Sequence, residues 1–301
     1  SAGADINSCS NNANTVLSGV VSGPTTAGVW SGGAGSFNPG NSALTATYTP
    51  SPAEISAGVA TLTLTSTGNG NCNAVTDIIQ INFTAAPSVN AGVDLSSCKN
   101  NPATALAGLV TGPTSTGVWS GGAGSYNPNS STLNSIYTPN AAELAAGSVT
   151  LTLTSTANGN CIAGTDKVII NFTNPPTVNA GADLSVCKNN LGSILSGTVS
   201  GPTTTGIWSG GSGSFNPGNS ALTATYTPSP SEITAGVATL TLTSTGNGNC
   251  NAVTDVIVIN LTNAPVVSAG ADINSCSNNA NTVLFGVVSG PTTAGVWSGG
   301  A

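Results

Sequence analysis

The chain contains no histidine, arginine or methionine, and only 4% of its 301 residues are charged. Three lysines stand against ten acidic residues. A protein that binds nucleic acid needs several Lys or Arg side chains to neutralise phosphates, and a helix that lies on a membrane surface needs a basic face, so both classes are excluded. No base is placed to activate the many Ser and Thr hydroxyls, so we expect no enzyme.

Because the chain contains no methionine, it has no initiator residue, which indicates part of a longer protein. Residues 268–301 repeat residues 1–34, except that Phe285 stands in place of Ser18. We therefore expect the sequence to be part of a longer array that continues in both directions. No signal peptide or transmembrane run is visible, which in an internal segment says nothing about targeting.

The chain is instead rich in repetition. Tryptophan recurs every 89 residues, at Trp30, Trp119, Trp208 and Trp297. This period exceeds the roughly 20–50 residues of a solenoid unit and fits a small independent domain. The predicted domains are residues 1–86, 87–175 and 176–264, followed by the truncated start of a fourth at 265–301. Short linkers that contain proline join them.

The hydrophobic pattern within one repeat is typical of short strands. Residues 59–66 alternate leucine with threonine, and the last strand, residues 75–83, would carry Ile79, Ile81 and Phe83 on its inner face. Other strands are predicted at residues 2–9, 15–21, 29–30 and 44–49. About seven strands per repeat predict an all-β fold of tandem immunoglobulin-like (Ig-like) antiparallel β-sandwich domains.

The four tryptophans are the predicted core anchors, joined in the first repeat by Tyr48 and Phe37. Ser51 and Glu54 have the spacing of a capping box, and Gly58 stands where a helix would end. We therefore expect a one-turn helix between two strands. The glycine-rich run after Trp30 lacks the lysine and helix of a phosphate loop, and we interpret it as a turn.

Two cysteines occur at fixed places in each repeat, which indicates a disulfide framework in an oxidising, extracytoplasmic setting. The candidate residues are Cys9, Cys72, Cys98, Cys161, Cys187, Cys250 and Cys276. A bond that closed a loop of ~60 residues would stabilise the small core by roughly 4 kcal/mol.

Two pairing schemes remain open. Pairing within a repeat would give the bonds Cys9–Cys72, Cys98–Cys161 and Cys187–Cys250. In Ig topology, however, the first and last strands run in the same direction, which would place the two cysteines of a repeat at opposite ends of the domain. End-to-end stacking would instead give the bonds Cys9–Cys161 and Cys98–Cys250.

Other polar residues also recur at fixed places. Asp5 and Asp77 could contribute to a calcium site, but hydrogen bonding in turns explains them better, so we expect no cofactor. Their equivalents are Asp94, Asp166, Asp183, Asp255 and Asp272. The threonine rows could bind glycans or ice, although threonine is also simply favoured on exposed strands. The outward residues of the last strand, such as Ile78, could form a side-to-side contact surface.

The motifs WSGG, TYTPSPAEI and GNGNC resemble the tandem Ig-like and PKD-like repeats of giant Bacteroidetes cell-surface proteins, including gliding-motility and other type IX-secreted adhesins. The resemblance extends over all 301 residues. It implies a non-enzymatic extracellular array anchored to a cell, and it supplies no catalytic residues. Two cysteines per repeat depart from the usual PKD pattern.

We therefore predict the structural or adhesive repeat region of a long extracellular filament or adhesin stalk at the cell surface. Its partners would be copies of itself, in tandem or as a filament, and surface glycans or a substratum. The alternatives are a multivalent array of glycan- or surface-binding modules, and spacer domains of a larger secreted enzyme.

Overall fold

The computed structural model describes residues 1–299, which form strands and one short helix in each complete repeat. The elements of the first repeat are β1 (Ile6–Cys9), β2 (Thr15–Val16), β3 (Ala27–Gly32), β4 (Ser36–Asn38), β5 (Thr47–Thr49), α1 (Pro52–Ala57), β6 (Val59–Thr67) and β7 (Thr76–Thr84).

The later repeats keep this order and add two short strands near their start. The second repeat contains β8 (Ser88–Asn90), β9 (Leu95–Cys98), β10 (Thr104–Ala105), β11 (Leu109–Thr111), β12 (Gly117–Ser120), β13 (Ser125–Asn127), β14 (Ile136–Thr138), α2 (Ala141–Ala146), β15 (Ser148–Ser155) and β16 (Thr165–Thr173). The third contains β17 (Thr177–Asn179), β18 (Leu184–Cys187), β19 (Ser193–Ile194), β20 (Thr198–Ser200), β21 (Thr205–Gly210), β22 (Ser214–Asn216), β23 (Thr225–Thr227), α3 (Pro230–Ala235), β24 (Val237–Thr245) and β25 (Thr254–Thr262). The described part of the fourth contains β26 (Val266–Ser268) and β27 (Val287–Ser289).

Each complete repeat is a sandwich of a four-stranded and a three-stranded sheet. In the first repeat the orders are β1-β7-β6-β3 and β2-β5-β4, and the second and third repeats reproduce both. The predicted fold class, tandem Ig-like β-sandwiches, is confirmed. The first strand of a repeat pairs in parallel with the last: β1 runs parallel to β7, with Ile6 opposite Ile81 and Cys9 opposite Thr84, and β18 runs parallel to β25.

The long strands follow the period-two pattern of the sequence. Along β6, Leu62 and Leu64 are buried while the threonines between them point outward. On β7, Ile79, Ile81 and Phe83 are buried against them. Alternation of apolar and polar residues places one face of each strand in the core, so the four-stranded sheet buries one side along these two strands.

The predicted helix forms as its capping residues require. Ser51 caps α1, its side chain accepts from the Glu54 backbone N–H, and the Glu54 carboxylate accepts from the Ser51 backbone N–H in return. Gly58 ends the helix with φ at +79°, a left-handed conformation that glycine adopts without a steric penalty. Asn140 and Ser229 cap α2 and α3 in the same way.

Three tryptophans occupy the cores of the three complete repeats. Trp30, Trp119 and Trp208 are at most 2% exposed, and each indole N–H donates to a backbone carbonyl, that of Leu44 in the first repeat (3.2 Å). Trp297, predicted as a fourth anchor, is instead 53% exposed. The leucines that cover Trp30 lie on β6, and the described residues of the fourth segment, 265–299, include no counterpart of that strand.

Some strand boundaries differ from the prediction. The strand predicted at residues 44–49 is only β5, because the segment before it turns: the Ala43 N–H donates to the Gly40 carbonyl and the Ala46 N–H to the Ala43 carbonyl. The run predicted as residues 15–21 is reduced to β2. β4 was missed, since its three residues carry only one apolar side chain, that of Phe37.

The contacts divide the chain into two compact units. One comprises Ser1–Ser97 and Pro102–Phe172, the first two repeats. The other comprises Cys98–Asn101 and the chain from Thr173 onward. The short segment Cys98–Asn101 belongs to the second repeat in sequence but groups with the third.

Candidate functional site: the junction between repeats

The parallel pairing of β1 and β7 brings the first cysteine of a repeat to the end where the chain leaves it. Cys9 is the last residue of β1, lies opposite Thr84 at the end of β7, and is fully buried. Thr84 is followed directly by the linker to the second repeat. The strand pairing therefore places a cysteine at the boundary with the next repeat.

A tight turn follows Cys9 and is tied to the linker. The Asn12 N–H donates to the Cys9 carbonyl (2.9 Å), which closes the turn. The Ser10 N–H donates to the Thr84 carbonyl (2.8 Å), and the Ser10 hydroxyl accepts from the Ala86 N–H (2.9 Å). These bonds fix the turn against the start of the linker.

Cys9 forms a disulfide with Cys161, which lies in the β15–β16 hairpin of the second repeat. Their Cα atoms are 4.9 Å apart and their positions in the chain are 152 residues apart. Bridged cysteines require Cα atoms within about 7 Å. The bond therefore joins one repeat to the next at the point where the β1 turn meets the following hairpin.

Asparagine side chains surround this bond. The Asn11 side chain donates to the Ile162 carbonyl (2.9 Å) and accepts from the Ile162 N–H (3.1 Å), as a strand neighbour would. The Asn12 side chain donates to the Asn160 carbonyl (3.2 Å), and the Asn160 side chain donates to the Asn7 carbonyl (2.8 Å). Four hydrogen bonds thus accompany the disulfide.

The same junction recurs within the second compact unit. Cys98 is bonded to Cys250, again with 4.9 Å between Cα atoms and 152 residues between positions. The Asn100 side chain donates to the Asn251 carbonyl (3.0 Å) and accepts from the Asn251 N–H (3.0 Å). The Asn101 side chain donates to the Asn249 carbonyl (3.1 Å). The disulfide and its asparagine contacts are therefore a unit that repeats with the sequence.

The pairing within repeats is wrong for both bonds that the structure contains, since Cys9 is not bonded to Cys72 nor Cys98 to Cys161. The reason is the parallel register. Cys9 lies at the end of β7, whereas Cys72 precedes its start, and a nine-residue strand spans about 30 Å. Cys187 is likewise not bonded to Cys250.

Three cysteines carry free thiols, and each occupies a place whose equivalent is bridged elsewhere in the chain. Cys72 and Cys276 are exposed and Cys187 is partly buried. The Cys276 turn still closes as the others do, with the Asn279 N–H on the Cys276 carbonyl (2.8 Å).

The recurring aspartates bind backbone N–H groups of neighbouring strands. Asp5 accepts from the Gln80 N–H (2.8 Å), and Asp77 accepts from the Ala2 N–H (2.7 Å). The Ala2 and Ile78 N–H groups lower the pKa of Asp77 because they stabilise its charged form. Among residues 1–299, no three His, Cys, Asp or Glu side chains cluster as metal ligands would. The hydrogen bonds of these aspartates connect the start of a repeat to its last strand.

A second polar network joins the glycine-rich turn to the helix cap. The Tyr48 hydroxyl donates to Glu54 Oε1 (2.7 Å) and accepts from the Gly35 N–H (2.9 Å). The Ala34 N–H donates to the same carboxylate oxygen (2.9 Å). The Ala34 N–H of this turn therefore binds a protein carboxylate, and the Gly35 N–H binds the Tyr48 hydroxyl.

The network shifts two ionisation equilibria. Burial alone would raise the pKa of Glu54, but hydrogen bonds from Ser51, Tyr48 and Ala34 outweigh it and hold that pKa below its ordinary value. Burial, and then the bond to Glu54, raises the pKa of Tyr48 to about 12. Both shifts follow from burial and from hydrogen bonds that the turn, Tyr48 and the helix cap make with one another.

The outer face of the four-stranded sheet is weakly polar. Thr61 is exposed and Thr63 and Thr65 are half-buried on β6, beside Ile78 on β7, which is 57% exposed. Its equivalents in the later repeats are Lys167 and Val256, of which Val256 is 48% exposed, and Ile169, at the position of Gln80, is 37% exposed. In the described part of the chain, no helix is both long and apolar enough to span a membrane.

The asparagine contacts across the junction between repeats were not predicted from the sequence. A signal was present, since each first cysteine begins a Cys-x-Asn-Asn motif: CSNN at residue 9, CKNN at 98 and 187, and CSNN at 276. On sequence grounds alone, these asparagines and those of GNGNC are typical of turns and hairpins. The local sequence does not show that the two sets face each other across repeats.

Compared with protein families and with curated proteins, the chain has no match. Solved structures do match in fold. Three Ig domains of titin, in an E-to-A variant, are 11% identical, with a TM-score of 0.45 over 86% of this chain and 95% of that one. Immunoglobulin domains 1–5 of Sidekick-1 are 13% identical, with a TM-score of 0.36 over 88% of this chain and 58% of that one. Domains EC3-6 of protocadherin gammaB7 are also 13% identical, with a TM-score of 0.33 over 95% of this chain and 82% of that one. Identities this low say nothing about function.

Proposed function

We propose that this chain is a structural region of an extracellular array of repeats, a filament or adhesin stalk of a bacterial cell surface, without enzymatic activity. In this role the repeats provide the length of the filament or stalk and present the same surface many times along it. The resemblance to Bacteroidetes surface repeats supports the source and the role in adhesion or gliding.

The observation that carries this proposal is the repeated covalent junction. Both disulfides join neighbouring repeats at a separation of 152 residues, and both are flanked by the same asparagine contacts. A protein of independent domains on flexible linkers would have no use for such bonds. Disulfides persist in oxidising compartments, which supports a location outside the cytoplasm.

The proposal is tested on cells that carry the full-length protein. An antibody against the third repeat should label intact, unpermeabilised cells, and electron microscopy should show the label along projecting fibres. Deleting one 89-residue repeat, residues 87–175, should shorten the fibres without abolishing them. Label confined to the cytoplasm, or fibres of unchanged length, would contradict the proposal.

A second candidate, a multivalent glycan-binding array, is favoured by one observation: the threonine row of β6 recurs on β15 and β24. Many weak sites on one array would multiply affinity. A glycan array probed with the 301-residue chain decides it. Retention that is lost when the outward threonines of β6, β15 and β24 are replaced by serine would establish binding, and no retained glycan would remove this candidate.

A further inference from the structure

The two disulfides change which residues can carry tension. Both cysteines of the first junction lie next to a nine-residue strand: Cys9 ends the short strand β1, which pairs with β7, and Cys161 precedes β16. A pull on the array is carried by the shortest covalent route, since any longer path remains slack. The disulfides provide routes that are much shorter than the backbone.

One such route crosses the chain from Cys72 to Cys276. It follows the backbone through β7, β8 and β9 to Cys98, crosses the disulfide to Cys250, and continues through β25 and β26. This route contains about 52 residue steps, whereas the backbone between its ends contains about 204. A second route enters through β1, crosses from Cys9 to Cys161, and continues through β16, β17 and β18.

The two routes run side by side. In the first repeat β1 belongs to one route and β7 to the other, and the two strands pair in parallel. In the third repeat β18 and β25 pair in the same manner, with Cys187 opposite Thr262. Both routes therefore point in the same direction, so tension pulls along the strands rather than peeling one from the other.

The remainder of each repeat lies outside both routes. In the second repeat this part is residues 99–160, which include β10–β15, α2 and the core residue Trp119. It forms a loop between Cys98 and Cys161, both of which are fixed by disulfides. Unfolding of this loop would not lengthen either route.

We infer that the disulfide-linked array bears tension through these two parallel covalent routes. The routes limit its extension, and the folded cores are attached to them without carrying the load. About half of the first route is already strand, so folding removes only part of its slack. The inference rests on the oxidised, extracellular state proposed above. Reduction of the disulfides would convert an array of limited extension into one that unravels repeat by repeat.

Single-molecule pulling on the 301-residue chain tests this inference. The exposed thiols of Cys72 and Cys276 serve as handles, in a Cys187→Ser background that leaves no other free thiol. With both disulfides formed, the extension should stop at about 180 Å, because an extended chain spans at most ~3.3–3.6 Å per residue. Peptide mapping under non-reducing conditions first verifies the pairing in each preparation.

Two matched double variants separate the routes. Cys98→Ser with Cys250→Ser removes the short route and leaves about 178 residue steps through the Cys9–Cys161 bond, so the limit should rise about threefold, to ~600 Å. Cys9→Ser with Cys161→Ser removes an equivalent bond but leaves the short route, so the limit should stay near ~180 Å. These limits are covalent and hold even if a variant folds poorly.

A third variant tests whether the core carries load, which the covalent limit alone does not show. Trp119→Ala lies in the loop of residues 99–160 and should leave unchanged the force needed to extend the doubly bonded chain toward ~180 Å. A clearly lower force would overturn the inference. Extension of the doubly bonded chain well beyond that limit, or identical limits for the two double variants, would overturn the inference. Failure to find the protein on cell surfaces would refute the proposed location but would not alter these lengths, so the two results are distinguishable.

Discussion

Replacing Trp119 by alanine should destabilise the second repeat by about 3–5 kcal/mol, the usual cost of removing a large buried aromatic side chain. Trp119 is 2% exposed, packs on Leu151 and Leu153 in the core cluster, and donates its indole N–H to the Leu133 carbonyl (3.0 Å). The cavity and the lost hydrogen bond both contribute to this loss.

The matched control is Trp297→Ala, since Trp297 is 53% exposed and should change stability by no more than about 0.5 kcal/mol. Hydrogen exchange followed by mass spectrometry resolves the repeats separately, so the chain need not unfold in one step. Peptides from β15 and β16 should lose protection in Trp119→Ala and keep it in Trp297→Ala. Equal effects of the two substitutions would refute the assignment of Trp119 as the anchor of that core.

Three further predictions concern the network between the glycine-rich turn and the helix cap. Hydrogen bonds hold the pKa of Glu143 below its ordinary value of 4.5, so the ionised side chain stabilises the fold above about pH 4.5 and loses this effect as the pH falls. Glu143→Gln should therefore flatten the acid limb of a curve of stability against pH. An unchanged acid limb would contradict this prediction. Because the pKa of Tyr48 is raised from 10.0 to about 12, its contribution is complete below pH 10 and lost between pH 10 and 12, so Tyr48→Phe should reduce the alkaline loss measured by circular dichroism. Gly211 has φ at +67°, and an added Cβ would overlap the Tyr226 hydroxyl, so Gly211→Ala should lower the free energy of unfolding in urea by about 1–3 kcal/mol. Gly218→Ala is the control, since no atom lies within 4 Å of its added Cβ. Equal losses of stability in the two variants would contradict this reasoning.

Local patterns predicted the fold well, because the residues that specify it lie close together in sequence. The alternation of Leu62 and Leu64 with threonine specified the buried face of β6. Ser51, Glu54 and Gly58 specified a helix that begins and ends where expected. Hydrophobic periodicity and capping depend on neighbours within a few residues, so one copy of the repeat was sufficient for both.

The junction could be predicted only in part, because it depends on which ends of two repeats meet. The direction of the first and last strands placed Cys9 away from Cys72, and this left the pairing with Cys161 as the alternative. What decides between the schemes is the parallel register of β1 with β7, which links residues about 75 positions apart. The contacts of Asn11 and Asn160 also depend on this register. The Cys-x-Asn-Asn motif shows that these asparagines recur, but not what they contact.

The central claim, that disulfides join neighbouring repeats, is tested most directly by peptide mapping without reduction. Cleavage after the ten acidic residues places each of the seven cysteines in its own peptide. The structure predicts that the peptide of residues 6–54 is linked to 144–166, and that of 95–143 to 233–255. A link from 6–54 to 55–77, which would contain a Cys9–Cys72 bond, would contradict it.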